Sequence, residues 1–375
     1  MIRLEAITLR EIQLPLREPF RISSGVVTDR RIFLLELRDA DGITGWSECV
    51  AFETPMYSPD TIDTAWYAVT EWVAPRVLGH SFAGPRAFCS ALEQDFRGHL
   101  MAKAAVEMGA WVVAAERDGV PLARLLGGTR ERIETGISLG IEPSPEALVE
   151  KASPALAAGY RKIKLKIQPG ADVEYVTAVR EALGSAAPLM VDANNAYTLA
   201  DADHLAQLDA LDLIMIEQPL AWDDLVQHAA LQRRLATPVC LDESITSADR
   251  ARDMITLGSG RIVNIKPGRV GGFGPSLAIH DLCVENGIPV WCGGMLESGV
   301  GRAANVALAS LPGFTKPGDL SPSARYWERD IVTPEWTMSA DGLVDVPLQR
   351  PGLGVSVDVD RVDNLTVRTS VLRPR

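Results

Sequence analysis

The chain has 375 residues, 47% hydrophobic and 23% charged, an ordinary globular composition with enough length for two or three domains. Its 37 Lys and Arg against 49 Asp and Glu give a formal net charge of −12, which argues against partners that are nucleic-acid backbones or anionic membranes. Five cysteines without a CxxC pair suit free thiols in a reducing compartment. Arg3 and Glu5 interrupt the apolar residues of the N-terminus, so no signal-peptide core is expected there. No stretch approaches the ~18 apolar residues of a membrane helix. A cytoplasmic protein is the expectation.

In chain order, residues 1–60 read as β-rich. Ile32–Leu37 and Ile43–Cys49 are strand candidates, and Asp39-Ala40-Asp41-Gly42 between them supplies turn chemistry for a hairpin. Pro19–Gly25 has neither strand nor helix periodicity. From Thr61 to about Arg117 the pattern is helical, most clearly over Met101–Arg117, where Ala104, Ala105, Met108, Trp111 and Val112 recur at helical spacing. Gly127-Gly128 then makes a stop.

From residue 133 short apolar strands alternate with helices. The strand candidates are Ile133–Leu139, Lys162–Ile167, Leu189–Asp192, Leu213–Glu217, Val239–Asp242, Ile262–Lys266 and Val290–Cys292, with a weaker eighth before Gly318-Asp319-Leu320. Helices are expected over Asp172–Leu183, Asp224–Leu235 and Pro275–Asn286. Near-continuous apolar strands joined by helices mean parallel strands buried on both faces. Eight of them predict a (β/α)8-type barrel, with a doubly wound open sheet as the lesser alternative.

Five strands end in a charge: Lys166, Asp192, Glu217, Asp242 and Lys266, spaced by 26, 25, 25 and 24 residues. Each interval is about one strand–helix unit, so the five side chains should gather on the C-terminal rim, where barrel enzymes hold their active sites. One such acid alone would be read as a helix cap; five consecutive units call for a site. Asp192, Glu217 and Asp242 offer only oxygen ligands, which suits Mg2+ or Mn2+. Lys166, beside such a cation and the neighbouring Lys164, can serve as a base. A carboxylate chelated to the ion would have its α-proton acidified, because the enediolate formed on deprotonation is stabilised. The expected chemistry is proton abstraction α to a carboxylate, on a small carboxylate substrate. Lys164 is read as an electrostatic helper, Asn194 as a residue supporting Asp192, and Glu243 as a group that neutralises or orients Lys266.

These segments resemble the enolase superfamily. Lys164-Leu165-Lys166, Val191-Asp192-Ala193-Asn194, Ile216-Glu217-Gln218-Pro219, Leu241-Asp242-Glu243-Ser244 and Asn264-Ile265-Lys266-Pro267-Gly268 are similar to its muconate-lactonising subgroup. Trp291–Gly299 and Gly318-Asp319-Leu320-Ser321 are similar to the group of o-succinylbenzoate synthases and N-acylamino acid racemases. The resemblance implies a (β/α)7β barrel over 131–324, capped by an α+β domain from residues 1–130 that the tail from about 325–375 completes. It implies that Lys166 removes the α-proton. In the synthase reaction of menaquinone biosynthesis a hydroxyl then leaves while Lys266 stabilises charge. In the racemase reaction Lys166 and Lys266 act on opposite faces. Phe20 and Tyr57 would close over the barrel mouth, and Ser138, Asn194, Gly294, Met295 and Leu296 would line the substrate pocket, although Met295 and Leu296 could equally be core. Homo-oligomers are common in the group.

Ser24 departs from the aromatic residue that relatives often carry in the closing loop, and Arg269 is of the kind expected in racemase-capable members. Dipeptide epimerases carry an Asp-x-Asp at the eighth strand, where only Asp319 stands; mandelate-racemase-like members need a strand-end histidine, and none of the five His residues is placed so. Muconate lactonisation remains open but lacks the Trp291–Gly299 pattern. The glycines of 268–274 do not match a dinucleotide fingerprint. A barrel that only binds a metabolite would have no need of both lysines with all three carboxylates.

Overall fold

Along Ile2–Ile22 (β1) buried residues largely alternate with more exposed ones, as a strand requires; Ile2, Leu4, Ile7 and Leu9 pack into the N-terminal core, and Ile12 and Leu14 into the barrel core. A computed structural model of the chain describes residues 1–23 and 25–374; Ser24 of the closing segment lies outside the described residues. β1 pairs antiparallel with Gly25–Asp39 (β2), and β2 pairs antiparallel with Thr44–Cys49 (β3) in the expected hairpin. Asp39 Oδ1 accepts from the amides of Asp41 and Ile43, which fixes that turn. The segment without periodicity is itself hairpin: past a register shift between Pro15 and Phe20, Phe20, Arg21 and Ile22 pair with Val27, Val26 and Gly25. This pairing is inherited across a bulge, so no apolar alternation announces it.

The helix Leu100–Asp118 (α1) is buried from Met101 to Ala115 because both of its sides are covered. Ala104, Met108, Trp111, Val112 and Ala115 join the barrel core, whereas Ala102, Ala105, Val106, Ala110 and Val113 pack on the sheet. Helix and sheet approach so closely that a Cβ on Gly109 would lie 2.5 Å from Leu37 Cδ1.

Seven parallel strands follow, paired in chain order: Ile137–Leu139 (β4), Ile163–Lys166 (β5), Leu189–Asp192 (β6), Ile216–Glu217 (β7), Val239–Leu241 (β8), Ile262–Ile265 (β9) and Val290–Cys292 (β10). Every residue in them is buried, as strands covered on both faces require. The first candidate splits, since Arg132–Glu134 turns aside to pair antiparallel with Leu343–Asp345. The weak eighth strand forms no ladder. Phe314 bridges to Val290, and Gly318 bridges to Thr135 and receives the Gly136 amide at 2.6 Å, so this segment spans the gap between β10 and β4. The helices Phe273–Glu285 (α2) and Gly299–Ala309 (α3) pack outside. Thr366–Leu372 (β11) returns to the free side of β1. Among the described residues no helix is long and apolar enough to cross a membrane, and all five cysteines are free thiols.

Buried polar groups tie the N-terminal elements to the barrel. Glu107 of α1 accepts from the amides of Phe273 and Gly274 at the start of α2. Arg30 of β2 donates to the carbonyls of Val50, Ala51 and Met295 and lies over the Phe52 ring. Glu48 of β3 accepts from the Ser298 hydroxyl and from the amides of Ser298 and Gly301, at the start of α3. Burial pushes the Glu48 carboxyl up to about 8, against those hydrogen bonds. In an unfolded chain it titrates near 4.5, so the native state binds this proton more tightly. The stability Glu48 contributes is therefore complete below that value and is lost as pH rises towards 8. Glu48→Gln should flatten this slope: in urea titrations its midpoint should fall less between about pH 5 and about pH 8 than the parent's. Parallel pH profiles would exclude Glu48 as the source.

Candidate active site

The parallel register sets Lys166 opposite Asp192 and Asp192 opposite Glu217, and Asp242 and Lys266 follow the last residues of β8 and β9. Five neighbouring strands thus bring five charges to one rim. Lys166 Nζ donates to Asp192 Oδ2 and to Asn194 Oδ1, both at 2.6 Å. Lys266 Nζ donates to Asp242 Oδ2 at 2.7 Å and stands 4.4 Å over the Tyr57 ring. Lys164, one alternation back on β5, reaches Glu217 at 3.2 Å, Asp192 at 3.4 Å and Asp319 at 2.5 Å.

The ionisation of these groups follows from who faces whom. Burial opposes the charge on Asp192, but Lys166 and Lys164 overcome it and hold the carboxyl below the usual range. Asp242 is held low against burial by Lys266 and Arg269. Glu217 goes the other way: burial, then the negative charge of Asp192, pushes it up to about 8 despite Lys164. Burial disfavours the ammonium of Lys164, yet Asp319, Glu217 and Asp192 together raise it well above its ordinary value. Asp242 and Tyr57 likewise raise Lys266 against burial.

Amides and one guanidinium hold the charged set in place. Asn264 Nδ2 donates to Glu217 Oε1 at 2.6 Å. Gln218 Oε1 accepts from the amides of Asp242 and Ser244, fixing the end of β8. Arg269 donates to Asp242 Oδ1, and the Tyr57 hydroxyl donates to the same oxygen at 2.8 Å. Glu243 does not reach Lys266 as expected. Its Oε1 accepts from the side-chain amides of Asn194 and Asn195, while Lys266 Nζ donates to Asp242. Burial and Asp242 push Glu243 up to about 7. Asn194, Asn195, Gln218 and Leu296 all have positive φ, and such strain persists only where the surroundings over-determine the backbone. A Cβ on Gly293 would sit 2.6 Å from Lys266 Cε, so the residue that follows β10 must be glycine for that lysine to extend.

A chamber opens on this rim. Phe20, Tyr57, Ser138, Asn194, Gly294, Met295 and Leu296 line it together with Lys164, Lys166 and Lys266. Ile22, Val27, Phe52, Asp319 and Tyr326 also line it, and the sequence reading had not placed them there. Asp319 could have been found from its position at the eighth strand end; the apolar four carry no signal beyond lying on the closing elements.

The comparisons agree with this architecture. Residues 4–127 match the mandelate racemase / muconate lactonizing enzyme N-terminal domain, and residues 147–362 match the enolase C-terminal domain-like family. The chain belongs to the enolase superfamily. It is 49% identical to an o-succinylbenzoate synthase of Geobacillus kaustophilus, over 97% of this chain and 96% of that protein. It is 50% identical to an N-succinylamino acid racemase of Thermus thermophilus, over 98% of both. A superfamily member of known structure from Listeria innocua superposes with a TM-score of 0.95 at 38% identity, each chain covered fully (100%).

Enolase-superfamily members depend on a divalent metal, typically Mg2+. Among the described residues no three His, Cys, Asp or Glu side chains are arranged as a ready metal cage; lysine ammoniums stand against the carboxylates. The donor set nonetheless fits such an ion. Asp192, Glu217 and Asp242 are buried, all-oxygen ligands. Glu217 is raised by burial and by its two acidic neighbours, a conflict that a divalent cation relieves.

Proposed function

We propose that this chain removes the proton α to a carboxylate, with o-succinylbenzoate formation by dehydration as its main reaction and N-succinylamino acid racemisation as a second outcome of the same step. The observation that carries the proposal is the pair Lys166 and Lys266, brought from β5 and β9 to the walls of one chamber. Both substrates have an acidic C–H beside a carboxylate, and both relatives at about half identity carry these activities in their names.

In this reading Asp192, Glu217 and Asp242 hold Mg2+, with Mn2+ as an alternative. When bound, the metal neutralises the negative charge that develops on the substrate carboxylate. Lys166 Nζ is the base, oriented by Asp192 and Asn194. For dehydration, Lys266 stays an ammonium, held by Asp242, and compensates developing charge, while the ammonium that Lys166 becomes on taking the α-proton protonates the hydroxyl, which leaves as water. For racemisation Lys266 delivers or removes the proton on the opposite face. Lys164 holds positive charge against the substrate carboxylate. Ser138, Gly294, Met295 and Leu296 on the barrel side, with Phe20 and Tyr57 on the other, shape the pocket and exclude water.

The cluster of buried cations at this rim supports an anionic substrate. Lys162, Lys164, Lys166, Lys266 and Arg269 face Asp192, Glu217, Asp242, Glu243 and Asp319, all buried. Racemisation as the main role is the second reading, favoured by the Thermus relative at 50% identity.

Lys166→Ala should lower turnover in both reactions by about 10²–10⁴-fold with the fold retained by circular dichroism. Near-parental turnover in a Mg2+ assay would remove Lys166 as the base. Chelation with EDTA should abolish both activities, and Mg2+ or Mn2+ should restore them; activity indifferent to chelator would dismiss the metal.

A further inference from the structure

Beneath the site lies one more cation, outside the chamber. Lys162 immediately precedes β5 and shares a strand face with Lys164 and Lys166, since alternate residues point the same way. Its side chain is fully buried, at 0% exposure. Nζ stands 3.1 Å from Asp319 Oδ1 and 3.4 Å from the centroid of the Trp291 ring. Trp291 belongs to the apolar floor with Met190, Met215, Cys240 and Ile262, so the ammonium sits between Asp319 and an aromatic face, with Lys164 and Glu217 as further charged neighbours.

Asp319 is the joint of the arrangement. Its Oδ1 faces Lys162, and its Oδ2 is 2.5 Å from Lys164. Lys164 in turn stands 3.2 Å from Glu217 and 3.4 Å from Asp192. One carboxylate therefore bridges two lysines, and the upper lysine is shared with two of the three acids that would hold the metal.

Lys162 does not line the chamber and cannot exchange a proton with substrate. A methionine would fill the same space without the desolvation that a buried ammonium suffers. We infer that Lys162 is a positioning residue of the active site: by sharing Asp319 it leaves Lys164 free to stand between Asp192 and Glu217, and its charge raises the potential that receives a dicarboxylate. The part of this inference that concerns the dicarboxylate rests on the proposed function; the part that concerns the ion chain does not.

Removal of this charge has opposite consequences for the two ligands. Lys162→Met leaves Asp319 with Lys164 alone, which draws Lys164 from Glu217 and Asp192 and leaves one uncompensated negative charge below them. A divalent cation should then bind more tightly and a dianion more weakly. A site that had merely lost its packing would bind both more weakly. The experiment is isothermal calorimetry on the full-length, metal-stripped protein, first with Mn2+ and then with o-succinylbenzoate at saturating Mn2+. In Lys162→Met the Mn2+ Kd should fall by about threefold or more and the o-succinylbenzoate Kd should rise by about threefold or more. Should Lys162→Met fail to fold, Lys162→Gln carries the same test, because it keeps a donor to Asp319 without the charge. Weakening of both ligands, or an unchanged Kd for either, overturns the inference. If the parent itself does not bind o-succinylbenzoate, the proposed substrate falls, and the Mn2+ titration alone decides Lys162: tighter binding upholds the ion chain and any other result overturns it.

Discussion

The mutual compensation of buried charge at one end of the barrel is the constraint on which the rest of the structure depends. Asp192, Glu217 and Asp242 are all but inaccessible to water, and each is balanced by a lysine at hydrogen-bond distance. Removing one partner from such a set typically costs about 3–5 kcal/mol, because the other is left buried and unpaired. The strands must therefore end in register, and the loops that follow must deliver amides in fixed orientations. The left-handed backbone at Asn194, Asn195, Gln218 and Leu296 is the local cost of that delivery.

The N-terminal elements complete the same environment from the other side. Phe20, Ile22, Val27, Phe52 and Tyr57 give the chamber an apolar wall, which lowers the local dielectric and strengthens every interaction among the charges. Tyr57 also reaches across to Asp242. The buried contacts of Arg30, Glu48 and Glu107 fix this wall to the starts of α2 and α3 and to the Met295 backbone. The apolar wall of the chamber and the contacts that dock it on the barrel thus come from the same N-terminal elements.

Much of this was legible in the sequence because its cause is periodic. A βα unit of nearly constant length repeats, so the charges at 166, 192, 217, 242 and 266 could be assigned to one rim without any knowledge of tertiary contacts. The pocket residues followed only from family resemblance, since Phe20 and Ser138 meet through the docking of two distant segments. What escaped depends on pairing that leaves no local pattern. Phe20–Ile22 is held by β2 across a bulge. The segment 314–318 closes the barrel by isolated bridges instead of a ladder. Glu243 turns to Asn194 and Asn195, while Lys266 is held by Asp242. Lys162 carried a readable signal, an alternation of lysines at 162, 164 and 166, but its partner Asp319 is remote in sequence.

The central claim is that Lys166 and Lys266 address opposite faces of one substrate carbon. Its most direct test is α-proton exchange in D2O followed by proton NMR, with each enantiomer of an N-succinylamino acid offered separately to Lys166→Ala and Lys266→Ala. Each variant should exchange the α-proton of one enantiomer only, and the two variants should choose opposite enantiomers. Exchange of the same enantiomer by both variants, or of both enantiomers by either one, would contradict the account.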